Sequence, residues 1–241
     1  MSKRICIFLM LPLLITACQV VKVPITHMEA AQRSIPSDVE MIAIFPYEYS
    51  AQLAPDFAYV KDLVPSQVKH KITNIGSYTI LEREQLQTLM KEGMLQHSLS
   101  MSSDEIAEVG RISGADAVVV GRIENVSIEE NTLQKDVQIQ QPAQPNMPPP
   151  PPQVVPCQHL VRRVNLSVTS EMLYVADKSK IVTDSFIYSY DSESDQSVND
   201  SNRFFGNDQQ KLEFYQSQPA RVPAISELVE RGAQQCAQQF Y

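Results

Sequence analysis

The chain has 241 residues, 43% hydrophobic, 20% charged and 7% aromatic, with 7 Gly, 16 Pro, 4 Cys and no Trp. That hydrophobic fraction supports a packed core and excludes a wholly disordered chain. The net charge of -8 speaks against a nucleic-acid partner, which needs clustered Lys and Arg. Few glycines leave little room for phosphate-cradling loops.

Residues 1–17 have the layout of a secretory signal peptide. Lys3 and Arg4 form a basic head, and Ile5 to Ile15 is an apolar run too short to span a bilayer as a permanent helix. The run ends in Ile15-Thr16-Ala17-Cys18. This resembles a bacterial lipobox, in which the Cys becomes the lipidated N-terminus; the alternative is an ordinary signal peptide with a chance Cys. With a lipobox, cleavage removes Lys3 and Arg4 and makes the chain more acidic, and diacylglycerol and an acyl chain such as palmitate on Cys18 hold it to a membrane. Gln19 follows the Cys. In lipoproteins of this kind Asp at that place retains the protein at the inner membrane, so the resemblance implies an outer-membrane anchor with the body in the periplasm. Cys6 leaves with the signal. Cys157 and Cys236 then remain in an oxidising compartment and are expected to pair; two separate thiols are the alternative.

Residues 18–38 read as a tether and 39–241 as one domain. Met41 to Phe45 is a compact apolar run that predicts a buried strand, closed by Pro46. Phe57, Val60, Val64, Val68, Ile72 and Ile75 recur at helical spacing. Pro65 should weaken or divide that helix, and Gly76 is placed to cap it. A short strand over 77–81 and a helix over 82–95 follow. Ser102 with Glu105 fits a capping box opening a helix that Gly114 ends. Residues 115–128 form the strongest strand pattern. Residues 130–159 turn rich in Gln and Pro, with five consecutive prolines at Pro148–Pro152, and predict an inserted loop. The proline run adopts polyproline II and cannot join a sheet. It reads either as a docking ligand or, more simply, as a stiff surface excursion. Two alternating strands follow over 161–175 and 181–190, then a polar loop over 191–202. Residues 203–215 are aromatic-rich without a period, and a last helix over 222–241 carries Leu228, Val229, Gly232, Cys236 and Phe240 on one face. The order predicts an α+β or α/β fold, a mixed β-sheet with helices packed on it.

No reactive constellation stands out. His27, His70, His97 and His159 lack partners at metal-ligand spacing. No Gly-x-Ser-x-Gly or Walker loop occurs. The acidic pairs Glu82/Glu84, Asp104/Glu105 and Glu129/Glu130 fall at helix starts or charged turns, where the helix dipole accounts for them. The reading is of a non-enzyme without cofactor, metal or small-molecule substrate.

The stretch Leu81-Glu82-Arg83-Glu84-Gln85-Leu86, followed by Val109-Gly110-Arg111-Ile112-Ser113-Gly114-Ala115-Asp116-Ala117-Val118-Val119-Val120-Gly121, resembles the CsgG family. These are curli-secretion lipoproteins that share a fold with LpoB-type peptidoglycan-synthase activators and TolB N-terminal domains. The resemblance covers 41–128 well and 160–190 weakly. Glu82 and Arg83 open its motif, Gly110 permits close helix packing, Gly114 ends the helix and Gly121 relieves crowding in the strand. The family's pore members insert membrane hairpins where this chain has 129–160 and 191–215. Those segments are Pro/Gln-rich and Asp/Ser/Asn-rich and cannot face lipid. The resemblance therefore implies a lipid-tethered accessory subunit of an envelope-spanning assembly (secretion, surface-fibre or flagellar outer-ring type). Its partners would be the outer membrane and other envelope proteins, including a ring of copies. The competing reading is an LpoB-like synthase activator. It is disfavoured by a tether of about 20 residues, at most roughly 70 Å extended.

Overall fold

The computed structural model describes residues 35–49, 55–76, 78–81, 85–86, 101–141 (as one run), 145, 147–199 and 203–240. The signal segment, Cys18, most of the tether, Glu82, Arg83 and nearly all of the helix expected over 82–95 lie outside the described residues. The expected mixed sheet with helices packed on it is present. Strands β1 (Met41–Ile44), β2 (Glu48–Tyr49), β3 (Thr79–Leu81), β4 (Ala117–Ile139), β5 (Gln153–Tyr174) and β6 (Lys180–Asp191) form one six-stranded sheet. The order is β3-β1-β4-β5-β6, with β2 alongside β4. β1 runs parallel to both β3 and β4, and β4, β5 and β6 form an antiparallel meander. The parallel pairs need helical crossovers. These are α1 (Val60–Ile75) between β1 and β3, and α2 (Ser103–Ser113) leading into β4.

Period-two alternation sends successive residues of β1 and β4 to opposite faces. Ile42, Ile44, Ala117, Val119 and Ile123 face one core with Val164, Leu166 and Val168 of β5. α1 closes that core through Val60, Val64, Val68 and Ile72, as does α5 (Ile225–Phe240) through Leu228, Val229, Ala233 and Phe240. Ala43, Phe45, Val118 and Val120 face the other core, under Ile106, Ala107 and Val109 of α2. Burying each larger aliphatic side chain contributes about 1.5–3 kcal/mol. Pro65 does not divide α1, which continues through it. It sits in the second turn, where the forfeited bond would reach the exposed Lys61 carbonyl at the helix start. The capping box is complete. Glu105 N–H donates to Ser102 Oγ, and Ser102 N–H donates back to Glu105 Oε2 at 2.7 Å.

Residues 130–159 are not a loop. β4 and β5 stay in register from Asn125↔Ser167 out to Ile139↔Gln153, so that only 140–152 lie outside the strands. The composition misled because this ribbon needs apolar residues on one face only. Val137, Cys157, His159 and Val161 are buried there, and Thr132, Gln134, Asp136, Gln138 and Gln158 share the other face with Val154, Pro156 and Leu160. Pro148–Pro152 do stay outside the strands, largely exposed.

Candidate protein-contact site: a braced hairpin arm

β5 continues for ten residues beyond Arg163, which pairs with Asp191 at the end of β6. The β4–β5 ribbon therefore projects roughly 33 Å past the rest of the sheet. Its register inverts which face is covered. A bulge between Ile123 and Asn125 puts Val126 and Ile128 on the α1/α5 side with Leu166 and Val164. Further out, the buried residues Val161, His159, Cys157 and Val137 have the opposite parity, so the cover there lies on the far side of the sheet.

That cover is the segment after β6, which holds α3 (Asp208–Gln216) and α4 (Gln218–Arg221). Asn207 caps α3 by accepting from Gln210 N–H. α3 grips the outer edge of β4. Asp208 accepts from Gln140 N–H, and Lys211 Nζ donates to the Gln138 carbonyl at 3.0 Å. Lys135 lies 4.7 Å from the Tyr215 ring centre, within cation–π range. α4 grips the other edge. Gln218 is buried, with its Oε1 accepting from Leu160 N–H at 2.8 Å and its Nε2 donating to the Leu160 carbonyl at 3.0 Å. Ser192 satisfies Arg162 in the same way, its Oγ accepting from the Arg162 N–H and its own N–H donating to the Arg162 carbonyl. These side chains replace the strand that β6 stops supplying.

In an antiparallel ladder N–H and C=O of one residue point to the same side and alternate along the strand. Pro156 shares the parity of Leu160 and Arg162, so its missing N–H falls on the open edge, where proline is tolerated. Between Val137 and Val161 the arm carries no Asp, Glu, Lys or Arg. The arm is thus a braced projection, uncharged from Val137 to Val161, on an acidic protein. Its chemistry is that of contact: strand edges offer backbone pairing and the tip offers proline.

The remaining sequence-derived site residues sit elsewhere. Gly114 adopts φ 75° at the end of α2. A Cβ on Gly110 would come 2.5 Å from Val175 Cγ2, and one on Gly121 would come 2.2 Å from the Tyr47 ring. Those two close approaches let α2 and Tyr47 seat on the sheet. Cys157 and Cys236 do not pair; both are free and buried. Cys236 lies near Tyr47, whose hydroxyl hydrogen-bonds Ser170 Oγ at 2.8 Å. Ser170 is thirteen residues along β5 from Cys157, roughly 43 Å of strand, against a limit of about 7 Å between paired Cα atoms. Burial pushes the Cys236 thiol up to about 12 and raises the Cys157 thiol too, so both are poor nucleophiles. Among the described residues no group of three or more His, Cys, Asp or Glu could hold a metal ion, and no helix is long and apolar enough to cross a membrane.

Two important residues carried little sequence signal. Gln218 lies in an uncharged polar stretch that could equally be loop. Asp116 stands inside the quoted Gly-Ala-Asp motif. Its Oδ2 accepts from the N–H groups of Glu40 and Met41 at 2.9 and 2.8 Å and so fixes where β1 begins.

Asp116 and the three close-packing or helix-ending glycines lie in the stretch that the resemblance rested on. Residues 31–133 match the family described as "Curli production assembly/transport component CsgG". This stretch is CsgG-like. The CsgG match takes in β1 through about the first three-quarters of β4 and stops at Leu133, within the arm. The tip, β5, β6 and the brace lie beyond it. No curated protein sequence matches the chain. Solved structures with some similarity to the chain include the hypothetical protein CT253 from Chlamydia trachomatis, at 11% identity, covering 84% of this chain and 97% of that one with a TM-score of 0.41. Lipoprotein GNA1162 from Neisseria meningitidis is 12% identical over 75% and 98% of the two chains, with a TM-score of 0.42. The LpoB C-terminal domain from Salmonella enterica is 11% identical over 62% and 82%, with a TM-score of 0.34.

Proposed function

We propose that the chain is an outer-membrane lipoprotein, anchored through lipid on Cys18. In this reading it serves as an accessory subunit of an envelope-spanning assembly and works by binding proteins rather than by catalysis. The observation that carries this reading is the CsgG match over residues 31–133. The lipobox-like Ile15-Thr16-Ala17-Cys18 supports the anchor. The projecting arm supports the contact role, because a neutral ribbon held away from the sheet presents surface without exposing the core. The family's secretion role comes to this chain only as part of this proposal.

The test joins location to contact. Wild-type protein should fractionate with the outer membrane, and Cys18→Ser should release it to the soluble periplasmic fraction. A photo-crosslinker at Gln134 or Gln138, on the uncovered face of the arm, should capture an envelope protein or another copy of the chain, whereas one at Lys61 on α1 should not. Capture of a peptidoglycan synthase by a strictly monomeric chain would replace the assembly reading with the activator reading. Soluble wild-type protein would overturn the anchor.

A further inference from the structure

Two features near the arm are complementary, and none of the described residues joins one to the other. The first is the tip. Pro148–Pro152 are held outward, with the Pro150 carbonyl accepting from Gln140 Nε2 at 2.7 Å. Asp208 in turn holds the Gln140 N–H, so the run is tied to the braced ribbon. A polyproline II segment has free carbonyls, and proline has no N–H. The tip is therefore an acceptor-only, pre-ordered ligand that loses little entropy on docking.

The second is a surface groove of about 420 Å³ beside α3, lined by Arg203, Phe204, Phe205, Gln210, Glu213 and Phe214. Phe204 is 91% exposed, the most exposed large apolar side chain among the described residues. The Phe205 and Phe214 rings pack at a tilt of 58°, with centres 5.3 Å apart. Arg203 lies 5.0 Å from the Phe214 ring centre and has no carboxylate partner among the described residues. Arg221 stands 3.9 Å from the same ring and is fixed by bonds to the carbonyls of Phe214 and Val198. Gln210 spends its Oε1 on Gly206 N–H and keeps its amide N–H groups as donors. The one carboxylate, Glu213, accepts from Gln209.

Aromatic faces with adjacent donors are what a proline run requires. The charges agree. Two guanidinium groups outnumber one carboxylate in the groove, which favours carbonyl dipoles. Elsewhere the acidic chain, at -8, repels its own copies. The neutral stretch from Val137 to Val161 can approach another copy without that cost.

We propose that the Pro148–Pro152 tip of one copy docks in the Phe204 groove of a second copy. Each copy carries both halves, so the contact either closes reciprocally into a dimer or propagates into a larger closed assembly. This deepens the protein-contact reading above and rests on it. Its failure would leave membrane fractionation unchanged, so the two can fail separately.

The experiment is light scattering on the detergent-solubilised full chain over a range of concentrations. Wild type should self-associate. Phe204→Ser, and separately the triple change Pro149→Ser, Pro150→Ser, Pro151→Ser, should each weaken association roughly tenfold or more, as loss of a central anchor does. Phe204, Pro149 and Pro151 are exposed, and Pro150 is half-buried with only its backbone carbonyl bonded, so thermal melting should stay as in wild type. Mixing the two variants restores one intact tip and one intact groove, and should recover a heterodimer. A synthetic Asn-Met-Pro-Pro-Pro-Pro-Pro-Gln peptide should bind wild type and dissociate its assembly, but should not bind Phe204→Ser. A wild-type chain that stays monomeric, either variant assembling like wild type, or a peptide that does not compete would each overturn the proposal.

Discussion

The two halves of the β4–β5 ribbon are one ladder held by different forces. In the inner half, residues of both strands are buried on both faces, under α1 and α5 on one side and α2 on the other. Stability there comes from area removed from water, and register is enforced because a one-residue slip would exchange the two cores. In the outer half one face is mostly polar and open, both edges lack a neighbouring strand among the described residues, and a diagonal brace holds the other face through few bonds: Asp208 and Lys211 on β4, Gln218 and Ser192 on β5. Distributed packing tolerates the loss of any one polar bond. A brace of discrete bonds does not, so the outer half should open as a unit while the inner half holds.

The largest effect expected is on the inner half. Gly121→Val places a branched side chain against the Tyr47 ring, which is 2% exposed and anchored to Ser170. The ring has no room to yield. A loss of about 3 kcal/mol is expected, at the upper end for overpacking, or roughly 6–12 °C in melting temperature. Combining it with Tyr47→Ala should cost less than the two losses added, because the clash partner is gone. Additive losses would mean that the crowding does not involve Tyr47. Asp116→Ala comes next. It strips two backbone donors at the start of β1, for about 1.5–3 kcal/mol, and denaturant unfolding of Asp116→Asn should recover part of that loss.

Gln218→Ala tests the comparison directly. It leaves the N–H and carbonyl of Leu160 unpaired at a partly buried edge, for about 1–3 kcal/mol. Amide exchange should accelerate over 129–139 and 153–163 and stay slow over 117–123 and 166–172. Uniform acceleration along both strands would show that the ribbon is a single cooperative unit, and the distinction between its halves would fall.

The sequence was most legible where burial is two-sided. The runs Met41–Phe45 and Ala117–Ile123, the Ser102/Glu105 box and the α5 stripe all appear where expected, because each writes its period in apolar residues. The outer arm was illegible for the opposite reason. Its single covered face needs only every second residue to be buried, and that set includes His159 and Cys157, which do not read as core. Its partner, α3, has an apolar cluster without a helical period, since Phe214 alone is fully turned inward. Cys157 and Cys236 misled because compartment favours pairing whereas topology places Cys157 on the outer half of the ribbon and Cys236 on α5, against the inner half. Nothing in a sequence states which half a cysteine occupies until the strand lengths are known.

The smallest effect is a pH response confined to the arm. His159 is buried on the braced face, and its Nδ1 has no hydrogen-bond partner. Burial first, then the nearby Lys135 charge, lower its pKa below the ordinary histidine value, with Glu193 opposing. The folded protein therefore holds the proton less well than the unfolded chain. Where the unfolded state binds more protons, stability rises with pH. The contribution of neutral His159 is complete above the unfolded pKa of about 6.5 and is lost as pH falls from there through the lowered folded value. Between about pH 7.5 and 5.5, intrinsic-rate-corrected amide exchange should rise over 129–139 and 153–163, and His159→Gln should flatten that response. If instead the exchange slows on acidification, or the wild-type and His159→Gln profiles coincide, the histidine is not what couples the arm to pH. Its burial would then be tolerated without consequence, and the brace would owe its hold to the Gln218, Ser192, Asp208 and Lys211 bonds.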